Sequence, residues 1–199
     1  MTEAISIAAV VEGEGEVAAL PVLLRRIAQE LSAWNVQIPP PLRVPRSKLI
    51  ACGGIERAVL QASYQVDGLG GILLLIDADD DCPATTGPAL LERARQARGD
   101  REISMVLANR EFEAWFLAAA SSLAGCRGLA DPLEPPADPE GPRDAKGWLS
   151  ARKTDGTSYR PTVDQAALAA VFDMAQARKN ARSFDKFWRD VERLIRGDS

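Results

Sequence analysis

Gly71-Ile72-Leu73-Leu74-Leu75-Ile76-Asp77-Ala78-Asp79-Asp80-Asp81 decides the reading of this chain. A wholly apolar run ends in four acids within five positions. The run is too short for a membrane span and the right length for a strand buried on both faces of a parallel sheet. If strand geometry persists to its end, Asp77 and Asp79 project to the same side, because side chains alternate with a period of two. Two carboxylates aimed together at the end of a buried strand repel each other and are tolerated where a cation or water separates them. The competing reading takes Asp79 to Asp81 as turn and helix-capping residues before the helix that follows, and for a single Asp that reading would win. Asp-x-Asp directly after the strand favours metal ligation.

Working outward, Ile5 to Val11 reads as a first strand that ends at Glu12-Gly13-Glu14-Gly15-Glu16, where glycines permit a tight turn. Val17 to Leu31 follows as a helix with a broad apolar stripe, and Pro21 predicts a late start or a kink. Val36 to Lys48 is Pro-rich and extended, with Leu42 to Val44 as a second strand. Its Arg43, Arg46 and Lys48 read as a solvated loop or, alternatively, as a strip that contacts phosphate. Gly53-Gly54 precedes a helix over Ile55 to Val66, and another helix spans about Gly87 to Arg98. Ile103 to Leu107 is the next strand and leads straight into a helix from Asn109 to about Leu123. Alternating strands and helices predict an α/β domain, residues 1–125, with a mostly parallel sheet flanked by helices. Residues 126–199 predict a loop and a helical C-terminal extension packed on it. Asp131 to Arg143 is dense in Pro and acids, and Asp144 to Lys153 is a short helix. Val163 to Ala181 is helical, and a last helix spans Phe184 to Ile195 with Ser183 as its N-cap. Phe184, Phe187, Trp188, Val191, Leu194 and Ile195 fall at helical spacing and read as packing.

The composition excludes several chemistries. The chain has 199 residues and no histidine, which removes Ser-His-Asp and Cys-His catalysis and most zinc sites. Its three cysteines, Cys52, Cys82 and Cys126, are widely spaced and suit reduced thiols. No apolar run reaches membrane-span length, and Met1-Thr2-Glu3-Ala4 lacks the basic start of a signal peptide, so no membrane partner and a cytoplasmic location are expected. The net charge of −4 argues against non-specific coating of DNA. It leaves open a nucleic-acid enzyme whose field is altered by bound cations.

Three acid clusters lie at three strand ends: Glu12 to Glu16, Asp77 to Asp81, and Glu111 with Glu113. The carboxyl ends of parallel strands share one edge, which is where ligands bind. Carboxylates gathered there suit Mg²⁺ or Mn²⁺, and such ions support phosphodiester chemistry without histidine. Val11-Glu12-Gly13-Glu14-Gly15-Glu16 and Ile76-Asp77-Ala78-Asp79 resemble the Toprim domain of topoisomerases, primases and the overcoming-lysogenization-defect nucleases. Five further stretches resemble an uncharacterised family of stand-alone Toprim-like proteins. They are Leu20-Pro21-Val22-Leu23-Leu24-Arg25-Arg26, Asn109-Arg110-Glu111-Phe112-Glu113-Ala114-Trp115-Phe116-Leu117, Asp144-Ala145-Lys146-Gly147-Trp148-Leu149, Pro161-Thr162-Val163-Asp164-Gln165 and Ser183-Phe184-Asp185-Lys186.

The resemblance implies a Rossmann-like Toprim sheet around divalent metal. It implies Glu12 as general acid/base or ligand, Asp77 and Asp79 as Mg²⁺ ligands, and Glu16 and Glu113 as ligands of a second metal, with Glu111 the rival of Glu113. It also implies an ABC-type or AAA-type ATPase partner in a defence system. Lys146 is a candidate to neutralise charge developing on a phosphate oxygen, with Tyr159 and Arg110 behind it. The expectation is a Mg²⁺-dependent nuclease acting on DNA ahead of RNA. The rival is a non-catalytic metal-binding subunit that docks on the ATPase. A receiver-like phospho-acceptor domain ranks last, because it wants an acid pair after the first strand and a lone Asp later.

Overall fold

The computed structural model describes residues 4–197; Met1 to Glu3, where the N-terminal reading falls, and Asp198 and Ser199 lie outside them. β1 (Ile5–Val11) is followed by α1 (Glu14–Glu30), then by two short strands, β2 (Val36–Gln37) and β3 (Leu42–Arg43). α2 (Arg46–Ile50) and α3 (Gly54–Ser63) lead into β4 (Leu69–Asp77), α4 (Pro83–Ala97) and β5 (Glu102–Ala108). The sheet has five strands in the order β2-β1-β4-β5, with β3 also on β1, and every pairing is parallel. β2 and β3 pair with opposite ends of β1. Between them stand Pro39, Pro40 and Pro41, which have no N–H to donate, so only an edge position tolerates the interruption.

The apolar runs of β1 and β4 are buried on both faces, as parallel strands covered by helices must be. One face (Ile7, Ala9, Val11, Leu73, Leu75, Val106) packs with α1 and the C-terminal helices. The other (Ala8, Val10, Ile72, Leu74, Ile76, Met105) packs with α3 and α4. Register places Val11 opposite Leu75 and Asp77 opposite Ala108, so the ends of β1, β4 and β5 open on one edge. Close approach of β4 to β1 requires Gly70, where a Cβ would sit 2.2 Å from the Ser6 carbonyl oxygen.

Several local expectations need correction. α1 starts at Glu14 rather than Val17 and runs through Pro21, which sits beyond the first turn. The early start follows from Glu16, whose Oε2 accepts the Gly13 N–H at 2.5 Å and so satisfies an otherwise orphaned donor at the N-terminus. α4 begins at Pro83, a favoured first-turn residue, and not near Gly87. The helix expected over Asn109 to Leu123 shrinks to α5 (Ala114–Ala118) followed by a 3₁₀ turn, Ala120–Leu123.

α6 (Ala145–Ser150) is capped by Asp144, whose Oδ1 accepts the Gly147 N–H at 2.7 Å. The predicted helix Val163 to Ala181 is three pieces: a π turn (Pro161–Gln165), α7 (Ala166–Val171) and α8 (Met174–Asn180). The last break falls at Asp173, which leaves the helix to cap α8 through Gln176. α9 (Arg182–Arg196) has Ala181 and not Ser183 as its N-cap. Glu140 accepts the Arg182 and Ser183 N–H groups, while Ser183 Oγ accepts from Trp115 Nε1 at 2.8 Å.

The apolar positions of α9 are buried as expected. Phe184 and Phe187 join Trp115, Phe116 and Phe172 in an aromatic cluster with ring centroids between 5.0 and 5.7 Å apart. Residues on both sides of position 125 share this one core. Cys52, Cys82 and Cys126 are free thiols. Among the described residues no helix is long and apolar enough to cross a membrane.

Candidate active site

The carboxyl edge of the sheet gathers Glu12, which follows β1, Glu16 on the first turn of α1, Asp77 at the end of β4, and Glu111 and Glu113 after β5. Asp77 continues the alternation of Leu73 and Leu75 and is 8% exposed. Its Oδ1 accepts the Phe112 N–H at 2.7 Å, which ties the end of β4 to the turn after β5. Glu113 is fully buried. Its Oε1 accepts from the Tyr159 hydroxyl at 3.0 Å and from Gln165 Nε2 at 3.4 Å. The same Gln165 nitrogen donates to Glu16 Oε1 at 3.2 Å, so one amide spans two like-charged carboxylates.

Lys146, on α6, enters the cluster from the C-terminal segment. Its Nζ lies 2.9 Å from Glu113 Oε2, donates to Glu111 Oε2 at 3.0 Å, and stands 3.9 Å from Asp77 Oδ2. Glu111 and Glu113 therefore share one ammonium, and the rivalry between them becomes a division of labour: Glu113 is inside and Glu111 lies nearer the rim. Burial alone would lower the Lys146 pKa, but Glu113 and Asp77 outweigh it and hold the ammonium firmly protonated.

The carboxyls respond in the opposite sense. Burial pushes the Glu12 pKa up to about 7, and the charges of Glu16 and Asp79 add to it. Burial also raises Asp77 well above the usual carboxylate range, opposed by Lys146 and reinforced by Glu12, Glu113 and Glu16. Glu113 is raised by burial against Lys146 and Tyr159. The Tyr159 hydroxyl is raised by burial and by Glu113, so it stays a hydrogen-bond donor. Glu12 Oε2 is buried and has no hydrogen-bond partner.

Asp79 departs from the strand-based expectation. β4 ends at Asp77, and Asp79 takes a left-handed backbone (φ 51). Its carboxylate does not continue the Asp77 row; it is largely exposed and lies 3.4 Å from Arg46 Nε. Arg46 also donates to the Asp77 carbonyl at 3.1 Å and pairs with Asp81, so it grips the whole β4–α4 loop. The sequence marks Arg46 only as one of three basic residues in a Pro-rich strip. Gln165 carries no signal of its own beyond its place in the Pro161 to Gln165 motif.

The donor set suits a hard divalent cation: carboxylate oxygens only, several of them buried, one with an unpartnered oxygen, and more negative charge than one ammonium balances. As placed, no three Cys, Asp or Glu side chains among the described residues converge closely enough to hold a metal ion. Lys146 stands between Glu111 and Glu113, and Asp79 is turned to Arg46.

Fold and site together define an α/β protein with a carboxylate–lysine centre at the carboxyl edge of a parallel sheet. The chain belongs to the family described as a domain of unknown function, DUF4276, whose profile matches residues 11–192. That span contains every residue of the centre. No curated protein and no solved structure gives a significant match to the chain.

Proposed function

We propose that this protein is a Mg²⁺- or Mn²⁺-dependent, Toprim-type nuclease that hydrolyses nucleic-acid phosphodiesters at the Glu12, Glu16, Asp77 and Glu113 centre, with DNA ahead of RNA as substrate. The observation that carries the reading is the buried carboxylate set at the ends of β1, β4 and β5, facing a single lysine in a chain without histidine. When bound, a divalent cation supplies charge neutralisation at a phosphoryl oxygen and acidity to a water.

The chain's own residues divide the remaining work. Asp77, Glu113 and Glu16 are the oxygen donors that would hold the cation, and Asp79 would join them only on release from Arg46. Glu12, with a pKa of about 7, is poised to take a proton from water near neutrality and return it to the leaving oxygen. Lys146 keeps a positive charge among these acids, one that would offset negative charge gained by a phosphate oxygen bound beside it. Tyr159 and Gln165 hold Glu113 and Glu16 in place. Metal loading competes with the Lys146 ammonium for Asp77 and Glu113.

The test is cleavage of supercoiled plasmid and labelled single strands by the purified protein in Mg²⁺ or Mn²⁺, beside Asp77→Asn. Wild-type cleavage that disappears in the variant supports the reading, and cleavage retained by a folded Asp77→Asn protein removes it. Should neither protein cut while metal still binds, the second reading takes over: a non-catalytic subunit that docks on an ABC- or AAA-type ATPase. That reading is favoured by the ion-paired state of Lys146. It predicts a stoichiometric complex on co-expression with such an ATPase.

A further inference from the structure

The acids just past β4 are divided between two groups of arginines. Arg46 holds the outer two, Asp79 and Asp81. The middle one, Asp80, is gripped from the other side. Arg110 Nη1 donates to its Oδ1 at 2.8 Å, and Arg143 Nη1 lies 2.9 Å from Oδ1 and 3.0 Å from Oδ2. Arg110 and Arg143, with Asp79, Asp80 and Glu111, line a cavity of about 150 Å³. Glu111 joins that cavity to the centre, because its other neighbour is the Lys146 ammonium that reaches Glu113 and Asp77.

The backbone at this point is unusual on both strands. Asp79 (φ 51) and Arg110 (φ 63) are non-glycine residues in the left-handed region, and they face each other across the ends of β4 and β5. They are tied together: the Asp79 N–H donates to the Arg110 carbonyl at 3.0 Å, and Arg110 Nη1 donates to the Asp79 carbonyl at 3.2 Å. A strained pair of this kind persists only where the surroundings hold it. Here it accompanies an Arg110 guanidinium that reaches both the Asp79 carbonyl and the Asp80 carboxylate that Arg143 also holds.

We infer that Arg110 and Arg143 form a clamp for a backbone phosphate of a nucleic-acid strand beside the reacting centre, and that Asp80 is its built-in competitor, occupying the clamp until a phosphodiester displaces it. This rests on the proposed nuclease reading and adds the interaction that seats the strand. Two guanidiniums converging on one carboxylate present the same donors that a phosphate takes, and guanidinium forks match phosphate geometry. The exchange is easy because the ion pairs it breaks are solvent-exposed and therefore weak. Arg46 stays on Asp79 and Asp81, so the loop keeps its shape when Asp80 is released.

The test is fluorescence anisotropy of a short fluorescein-labelled single-stranded DNA in EDTA, with wild type, Asp80→Asn, and the double variant Arg110→Ala/Arg143→Ala. Asp80→Asn is expected to bind roughly 3- to 10-fold more tightly, since the competitor's charge is gone while its shape remains. The double variant is expected to bind about 10-fold more weakly or worse, and its salt dependence to flatten by roughly 0.7 for each phosphate that the protein no longer neutralises. The opposite signs matter, because a misfolded protein does not imitate the tightening in Asp80→Asn. Unchanged or weaker binding by Asp80→Asn overturns the clamp, as does a double variant whose affinity and salt slope match wild type. Tightening by Asp80→Asn without cleavage in Mg²⁺ keeps the clamp and removes the nuclease reading; cleavage with no change in either variant does the reverse.

Discussion

Replacing Asp77 by Asn should stabilise the metal-free protein while abolishing the proposed cleavage. Asp77 is 8% exposed, and its carboxyl titrates well above the usual carboxylate range. The cause is burial first, with Lys146 opposing and Glu12, Glu113 and Glu16 reinforcing. The amide keeps the Oδ1 acceptor for the Phe112 N–H at 2.7 Å. It gives up the ion pair with Lys146 Nζ, which at 3.9 Å and with a partly exposed ammonium contributes less than about 1 kcal/mol.

Replacing a buried, incompletely compensated charge by a neutral group of the same shape is worth on the order of 1–2 kcal/mol, and that gain is expected at about pH 8, where the burden of the charge is greatest. For a chain of this size that raises Tm by roughly 2–8 °C. The sign follows from linkage. A group whose folded pKa is raised loses its stabilising contribution as pH climbs through that pKa, so wild type weakens towards alkaline pH. Asn does not titrate, so the gap between the two proteins should widen from about pH 5 to about pH 8. Thermal or urea unfolding in EDTA at both pH values measures it. An Asp77→Asn protein that is less stable than wild type at the higher pH would refute the reasoning, because the charge would then be a structural partner rather than a destabilised functional group.

Two other substitutions probe the same centre from different sides. Lys146→Met removes the cation shared by Glu113, Glu111 and Asp77; because the side chain is 39% exposed, solvent screening limits the loss of metal-free stability to about 1–2 kcal/mol, while calorimetry should find Mn²⁺ bound more tightly than in wild type. Gly15→Ala would place a Cβ 1.9 Å from Gln165 Oε1 and 2.8 Å from Pro161 Cβ, so unfolding should report a loss of about 1–3 kcal/mol.

The apolar run into Asp77 placed β4 because its short length and the turn residues on either side suit a strand covered on both faces, and the three acid clusters fell on one edge because the strands pair in parallel. Periodicity failed where a single side chain redirected the backbone. Asp173 leaves its helix to cap the next one, and Glu140, from a Pro-rich loop remote in sequence, supplies the start of α9. Asp79 was misplaced for a similar reason. Alternation assumes that the strand continues, and the left-handed turn at Asp79 ends it. Lys146 was legible as a candidate, but its three carboxylate partners are tertiary facts that no local pattern carries. Gln165 was silent because a glutamine becomes meaningful only when burial leaves its amide nothing else to touch.

The C-terminal segment completes the centre. The ends of β1, β4 and β5 deliver Glu12, Asp77, Glu111 and Glu113 to the edge, and acids gathered in a buried cluster repel one another. Arg46 offsets part of the repulsion at Glu12 and Asp79, and the rest is met from beyond position 140: Lys146 by charge, Tyr159 and Gln165 by hydrogen bonds to Glu113 and Glu16. The π turn that carries Gln165 packs against the first turn of α1, where Gly15 leaves room for the glutamine. The same segment supplies Arg143 to Asp80 and Glu140 to α9. α9 in turn returns to the core beneath the sheet, so the residues that set the charge balance of the site are anchored by the aromatic cluster around Trp115. Charge compensation and core packing are thus coupled through one stretch of chain.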